Sequence, residues 1–357
     1  MNNPKTIIFA PLNWGLGHAT RIIPIIRYYQ KSGHKIIIAG YGRSFQLLQI
    51  EFQNENVEFI KLPGFNVAYS KKQNQTGKIF LQLPAFLFWK ACEHVLTKRM
   101  IHKHHPDLII SDNRYGLWNK HCISVIVTHQ LKIYMPTIIR WLEKPVQLVL
   151  KKWIEKFDYC WIPDNEGKMS LTQAMTNVKP MIRNARFIGL LSRFSSPEFE
   201  TKIFENDVLV IISGPEPHRS IFYNSIIKEL TGTKLRVIII CGIPESNEMD
   251  AIDNIKVLSH VNAKELERLI LYSNVIVCRS GYSGVMDLIR LKKPAIIIPT
   301  PGQKEQEIIA EKMVNEYQYI KLNEVRNLNQ AINNAIPYSV NTPDIIFFPK
   351  NFIDPLN

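Results

Sequence analysis

The sequence predicts an α/β protein made of two consecutive parallel-sheet domains that face each other across a cleft. Three observations predict it. Short apolar runs alternate with amphipathic stretches along nearly the whole chain, the pattern of βα units. In the second half the runs DVLVIIS (207–213), LRVIIIC (235–241), NVIVC (274–278) and AIIIP (295–299) are apolar almost throughout, as expected of strands covered by helices on both faces. The chain has 357 residues, about twice a typical domain, and a polar stretch without periodicity, LSRFSSPEFETKIFEND (191–207), divides it.

The elements follow in order. KTIIFAP (5–11) reads as a strand. From His18 to Lys31, Ile22, Ile26 and Tyr29 share one helical face with Ile25 beside them; Gly33 stops the helix and HKIIIAG (34–40) is the next strand. This βαβ unit implies a parallel sheet. VEFIK (57–61), DLIIS (107–111), ISVIVT (123–128) and DYCWI (158–162) are further strands, with helices expected over 79–104 and 136–156. The rhythm restarts after residue 206, where amphipathic segments near 219–230, 263–272, 284–291 and 304–315 separate the four apolar runs. The expected domains are 1–190 and 207–335, joined by a linker over 191–206. A tail over 336–357 carries four prolines and no helical period, and should pack as an irregular extension.

Composition narrows the classes. Apolar residues make up 46% and charged residues 21%, which fits a folded chain and not a disordered one. The net charge of +13 favours an anionic partner, either a phosphate-bearing ligand or an anionic membrane surface. The basic residues are dispersed and no nucleic-acid recognition signature accompanies them, so no nucleic-acid partner is expected. Cys92, Cys122, Cys160, Cys241 and Cys278 form no CxxC pair or metal-ligand spacing and read as reduced thiols of a cytoplasmic protein. MNNPKT lacks a leader pattern and no apolar run approaches spanning length. A cytoplasmic location is expected, with the inner face of the cell membrane within reach.

Ligands of open α/β sheets bind beyond the strand C-termini, so five loops carry the candidates. In NWGLGHATR (13–21), Gly15 and Gly17 permit a sharp strand-to-helix turn, and His18 at the helix start suits a general base. The third glycine of a dinucleotide fingerprint is replaced by Thr20, and AGYGR (39–43) lacks the acidic residue that NAD requires. Arg43 leaves room only for NADP. In SDNRYG (111–116), Asp112 is placed to hold an imidazole by one nitrogen and raise the basicity of the other. His129 and Gln130 of THQ are candidates for an acceptor pocket. SGPEPHR (213–219) offers Gly214 and the phosphate-seeking Arg219. In CRSGYSGVMDL (278–288), Arg279, Ser280 and Gly281 precede a helix opened by Ser283 and Gly284. The N-terminal amides of that helix suit a pyrophosphate, and its Asp287 suits a ribose diol. Gln303, Gln306 and Glu307 of PTPGQKEQE are candidates for sugar hydroxyls.

VIVCRSG (275–281), VMDL (285–288), KPAIIIP (293–299) and KEQE (304–307) together closely resemble the donor-binding motif of two-domain nucleotide-sugar glycosyltransferases of the GT-B fold, which pair two Rossmann-like domains. Within that fold the motif is nearest to the peptidoglycan N-acetylglucosaminyltransferase group, and GLGHATR, THQ and RSGYSG together look still more like a set of poorly characterised bacterial and archaeal glycosyltransferases. The likeness is specific over about 274–312 and moderate at Gly17-His18. It implies that the rear domain binds a nucleoside diphosphate sugar, most often UDP-linked as in UDP-N-acetylglucosamine. In this likeness Asp287 stands where the family has a ribose-binding glutamate. Ser280, Gly281, Ser283 and Gly284 match the pyrophosphate loop, and Gln306 matches a donor-contacting glutamine. His18 is the acceptor-side histidine, and Asp112 is a candidate to orient it. Two departures stand out. Arg21 lies where related enzymes often have proline, and the second glycine-rich loop is reduced to SGPEPHR.

The expected reaction is inverting transfer of a sugar to a hydroxyl acceptor, with no metal and no cofactor beyond the sugar nucleotide. The aromatic, Lys- and Arg-bearing segments 79–105 and 135–157 suggest peripheral contact with an anionic membrane and a lipid-linked or envelope acceptor. The alternatives are a nucleotide-sugar hydrolase or 2-epimerase on the same plan, and a nucleotide-sugar-binding protein without catalysis.

Overall fold

The computed structural model describes residues 3–356, except 66–81, 134, 136, 177, 179–180, 196–204, 247, 336–344 and 351. The front sheet comprises β1 (Thr6–Pro11), β2 (Lys35–Gly40), β3 (Val57–Lys61), β4 (Leu108–Asp112), β5 (Ile123–Val127), β6 (Tyr159–Ile162) and β7 (Ala185–Phe187). Its order is β3-β2-β1-β4-β5-β6-β7 and every pairing is parallel. The rear sheet comprises β8 (Asn206–Ile211), β9 (Val237–Ile240), β10 (Met249–Ile252), β11 (Ile255–Leu258), β12 (Ser273–Cys278), β13 (Ala295–Ile297) and β14 (Ile320–Lys321). Its order is β10-β11-β9-β8-β12-β13-β14, parallel except for β10. The strand order reverses between β1 and β4 in front and between β8 and β12 behind. These are the switch points where such sheets receive ligands.

The helices are α1 (Leu16–Lys31), α2 (Gly42–Glu51), α3 (Leu83–His104), α4 (Glu143–Ile154), α5 (Gln173–Thr176), α6 (His218–Leu230), α7 (Ala263–Tyr272), α8 (Tyr282–Arg290), α9 (Lys304–Tyr317) and α10 (Leu328–Ala335). Burial follows the sequence pattern: Ile7, Ile8 and Phe9 of β1 and Ile22, Ile25, Ile26 and Tyr29 of α1 are fully enclosed. Helix α1 also packs on α8, so one apolar cluster runs through both lobes.

Several expectations need correction. The helix expected over 136–156 is broken: a 3-10 turn over Thr137–Leu142, with Ile139 outside helical geometry, precedes α4. Pro145 lies in the first turn of α4, where its missing N–H costs no internal bond. The helix expected over 79–104 is α3 from Leu83 onward, and 79–81 lie outside the described residues, as do 196–204 of the linker and 336–344 of the tail. The β10–β11 hairpin and the elements α2, β7, β14 and α10 had no counterpart in the sequence reading. The hairpin turns on Asp253 at φ 53°, a conformation that Asp tolerates better than most residues.

The tail has a definite destination. Leu190 N donates to Ile346 O at 3.0 Å and Phe348 N donates to Leu190 O at 3.0 Å. Phe348 and Phe352 pack edge-on to Tyr28 of α1, and Tyr29 Oη donates to Asp354 at 2.8 Å. The chain therefore ends back on the front lobe.

Candidate active site between the lobes

The loop from β1 to α1 is pinned by α2: Ser44 N donates to Asn13 Oδ1 at 3.1 Å and Ser44 Oγ to Gly15 O at 3.0 Å. Gly15, at φ 103°, makes the turn that an L side chain would strain. His18 then falls in the first turn of α1, beside the last residue of β4. Its Nδ1 lies 2.8 Å from Asp112 Oδ1, so the two residues expected to cooperate are in contact. The His18 side chain is 15% exposed and that of Asp112 is fully enclosed. Burial works to raise the Asp112 pKa, but the charges and hydrogen bonds of Arg21 and His18 outweigh it and bring it down to about 2. Nδ1 has two neighbours: the Asp112 carboxylate, which only accepts, and Arg21 Nη2, 2.9 Å away, which only donates. Nη2 is already bonded to Asp112 Oδ1, and the assignment that gives the carboxylate its second donor puts the proton on Nδ1 and the lone pair on Nε2. Burial lowers the pKa of His18 against the pull of Asp112, with Arg21 and His129 acting in the same direction as burial. The neutral imidazole is the resting form near neutrality.

Arg21, one helical turn along from His18, completes the group. Its Nε donates to Asp112 Oδ2 at 2.6 Å and its Nη2 to Oδ1. Its Nη1 lies 3.0 Å from His129 Nδ1. A guanidinium only donates, so His129 Nδ1 accepts and its Nε2 carries the proton; Glu305 Oε2 is 3.3 Å from Nε2, outside hydrogen-bond geometry. Gln130 Nε2 donates to the same oxygen at 2.8 Å. Burial would raise the Glu305 pKa; His129, Gln130 and Arg21 overcome that and lower it to about 2. His129 also stacks on Tyr282 of α8, with centroids 4.1 Å apart and planes 19° from parallel. His129 and Gln130 thus join the front lobe to α8 and α9. Tyr282 and Glu305 were not among the candidates read from the sequence, and Arg21 entered only as a departure at a position where related enzymes often have proline. Arg21 could have been found as a charged residue three positions after His18, on the same helical face.

The two helix starts also meet. Ser283 Oγ donates to Gly17 O at 2.8 Å, and a Cβ on Gly17 would stand 3.2 Å from that hydroxyl. Gly17 therefore permits the close approach. Neither α1 nor α8 has a side-chain cap or an acidic residue in its first turn, so two positive helix ends converge at the seam. Gly281 caps α8 with its backbone, Gly284 is in its first turn, and Ser280 Oγ donates to Gln306 O at 2.8 Å.

The other rear-lobe candidates are engaged as follows. Gly214 turns at φ 102° after β8. Arg219 grips Glu216 Oε1 through Nε and Nη2 at 2.8 and 2.6 Å. Arg279 donates through Nη1 to Ile298 O at 3.1 Å and Pro299 O at 3.0 Å and lies over Phe222 at 4.0 Å. Burial lowers its pKa to about 10. Nη1 of Arg219 and Nε of Arg279 are buried without a partner among the described residues. Asp287, the candidate ribose ligand, is bonded within the protein: Oδ1 accepts from Ser192 Oγ at 2.8 Å and Arg193 N at 3.3 Å, and Oδ2 from Arg193 Nε at 3.1 Å. It is tied to the start of the linker because α8 presents it there. Gln306, the candidate donor contact, bonds inside its own loop. Its Oε1 accepts from Thr300 N at 2.8 Å and its Nε2 donates to Gln303 Oε1 at 2.7 Å, which shapes the β13–α9 loop. Beside that loop Thr300, Lys304, Glu307 and Lys321 line a cavity of about 400 Å³.

Away from the seam, α3, the 3-10 turn and α4 expose Leu87, Phe88, Trp141, Leu148 and Val149. Lys90 lies over Trp153 at 4.7 Å, next to this surface. Among the described residues no helix is long and apolar enough to cross a membrane.

Comparison with known proteins agrees with the two-sheet fold. Residues 222–339 match the Glycosyltransferase family 28 C-terminal domain. An uncharacterized glycosyltransferase of Methanosarcina acetivorans is 21% identical over 323 residues, covering 82% of this chain and 79% of the relative. The UDP-N-acetylglucosamine--N-acetylmuramyl-(pentapeptide) pyrophosphoryl-undecaprenol N-acetylglucosamine transferase of Lactobacillus acidophilus is 20% identical over 303 residues, covering 80% and 77%. The crystal structure of the glycotransferase of kitacinnamycin superposes with a TM-score of 0.59 at 13% identity, over 93% of this chain and 91% of its own. At that identity the likeness is one of fold.

Proposed function

We propose that this chain, a glycosyltransferase of the GT-B type, moves a sugar from a nucleoside diphosphate sugar to an acceptor hydroxyl with inversion at the anomeric carbon. The observation that carries the reading is the 2.8 Å contact between His18 Nδ1 and Asp112, at a seam where two uncapped helix starts meet. His18 Nε2 takes the proton of the acceptor hydroxyl as that oxygen bonds to the anomeric carbon. The bond from that carbon to the diphosphate oxygen breaks, and the diphosphate leaves with the electron pair. Asp112 holds the imidazolium that forms. The helix ends and the two guanidiniums beside the rear switch point, Arg219 and Arg279, supply positive charge for the leaving group, and the reading assigns that charge to them and not to a metal. Asp287 is the candidate for a ribose hydroxyl, which it would hold in exchange for a bond to Ser192 or Arg193.

A UDP-linked donor such as UDP-N-acetylglucosamine is favoured by the likeness over about 274–312, and the Lactobacillus acidophilus relative is named for that donor. The exposed apolar surface with its lysines supports peripheral contact with an anionic membrane and a lipid-linked acceptor, met from the cytoplasmic side. A thermal-shift panel of nucleoside diphosphates and nucleotide sugars tests the donor. UDP and one UDP-sugar should raise the melting temperature most; a chain that ignores every nucleotide would refute the reading.

A further inference from the structure

We infer that Arg21 is a positioning residue: its planar fork clamps both oxygens of Asp112, aligns that carboxylate on His18 Nδ1 and offsets part of its charge at the imidazole. The inference deepens the transfer reading above, but its test needs no sugar donor. A histidine facing a lone carboxylate is drawn toward its charged form. Here the carboxylate is already matched by a guanidinium, through Nε at 2.6 Å and through Nη2, in the two-bond geometry that only arginine provides. Nη2 also lies 2.9 Å from His18 Nδ1, so the positive charge faces the imidazole directly.

The surroundings make this a closed arrangement. The Arg21 side chain is 2% exposed, and its third edge rests on His129 Nδ1 at 3.0 Å. The groups that face His18 are Asp112 from β4, Arg21 from α1 and His129 from the loop after β5. Tyr282 of α8 and Glu305 of α9 act on Arg21 from the rear lobe, and Tyr115 senses Asp112 and Arg21 from the loop after β4. The effect of the clamp is to keep His18 unprotonated and correctly tautomeric before substrate arrives.

The test is nitrogen-15 NMR of the imidazoles in the full, ligand-free chain, titrated from neutral into acid, with His18→Gln to identify the signal. The wild type should show His18 with its proton on Nδ1 and a midpoint below 6.5. Arg21→Gln should raise that midpoint by about one pH unit or more. Arg21→Lys keeps the charge but holds a single oxygen, and should shift it the same way by less. If Arg21→Gln does not fold, Arg21→Lys decides: an upward shift supports the clamp. An unchanged or lowered midpoint in the folded variants, or a wild-type His18 protonated on Nε2, overturns it. A silent nucleotide panel would leave this result standing, and the converse also holds.

Discussion

Replacing Asp112 by Asn tests the core of the proposed chemistry, because the structure fixes what the amide has to do. Asp112 Oδ1 meets His18 Nδ1 and Arg21 Nη2, and Oδ2 meets Arg21 Nε. An asparagine with its carbonyl toward His18 keeps the imidazole tautomer but turns its NH₂ against Arg21 Nε, donor against donor. The opposite rotamer spares Nε but places NH₂ against His18 Nδ1 and Arg21 Nη2. Nδ1 must then accept, the proton moves to Nε2, and the base is lost. Both arrangements also leave the buried Arg21 without its counter-charge. Breaking a buried pair costs about 3–5 kcal/mol, a large part of the roughly 5–15 kcal/mol of a typical domain. The expected outcome is a folded but weakened protein whose turnover falls by roughly 10²–10⁴-fold, the usual contribution of a positioned general base. Urea denaturation reads the first effect, and nucleoside diphosphate release with the donor found by the panel reads the second. Turnover within a few-fold of wild type, in a variant confirmed to fold, would refute the reasoning.

Three further outcomes follow from the same geometry. His18→Ala should cut turnover by roughly 10²–10⁴-fold while leaving donor affinity, read by calorimetry with UDP, nearly unchanged, since it removes an interaction made only in the transition state. Stability should fall as pH drops from 4.5 toward about 2. Asp112 and Glu305 have folded-state pKa values of about 2, below their ordinary 3.8 and 4.5, so their contribution is complete above the unfolded values and is lost on acidification. Thermal melts across that window check it, and a flat profile would contradict it. Vesicles containing anionic lipid should carry the chain upward in flotation at low salt, and Trp141→Glu with Leu148→Glu should abolish that; binding to neutral vesicles alone would point away from the charged surface.

The sequence made the sheets legible because their strands are covered on both faces, so that Ile36–Ile38 or Val275–Val277 cannot be other than apolar. His18 and Asp112 were legible for a related reason: both close a βα junction at the front switch point, where few positions can face a ligand. Arg21 and Glu305 were not, since their meaning depends on what stands opposite them, and the partners lie 91 residues away for Arg21 and Asp112 and 175 for Gln130 and Glu305. Asp287 shows the reverse case. Its place in the motif was visible, but its bonds to Ser192 and Arg193 depend on the linker's path. The β10–β11 hairpin escaped because Met249, Asp250 and Ala251 of β10 are exposed and carry no apolar alternation.

Leu190, just before the linker, and Phe347, from the tail, run alongside each other in the same direction, joined by backbone bonds. With Tyr29 holding Asp354 as well, the rear lobe is tethered to the front one on both of its sides along the chain. A lobe tied twice gives up less chain entropy on docking than one tied once. The connectivity itself therefore favours the docked seam of Gly17 with Ser283 and His129 with Tyr282.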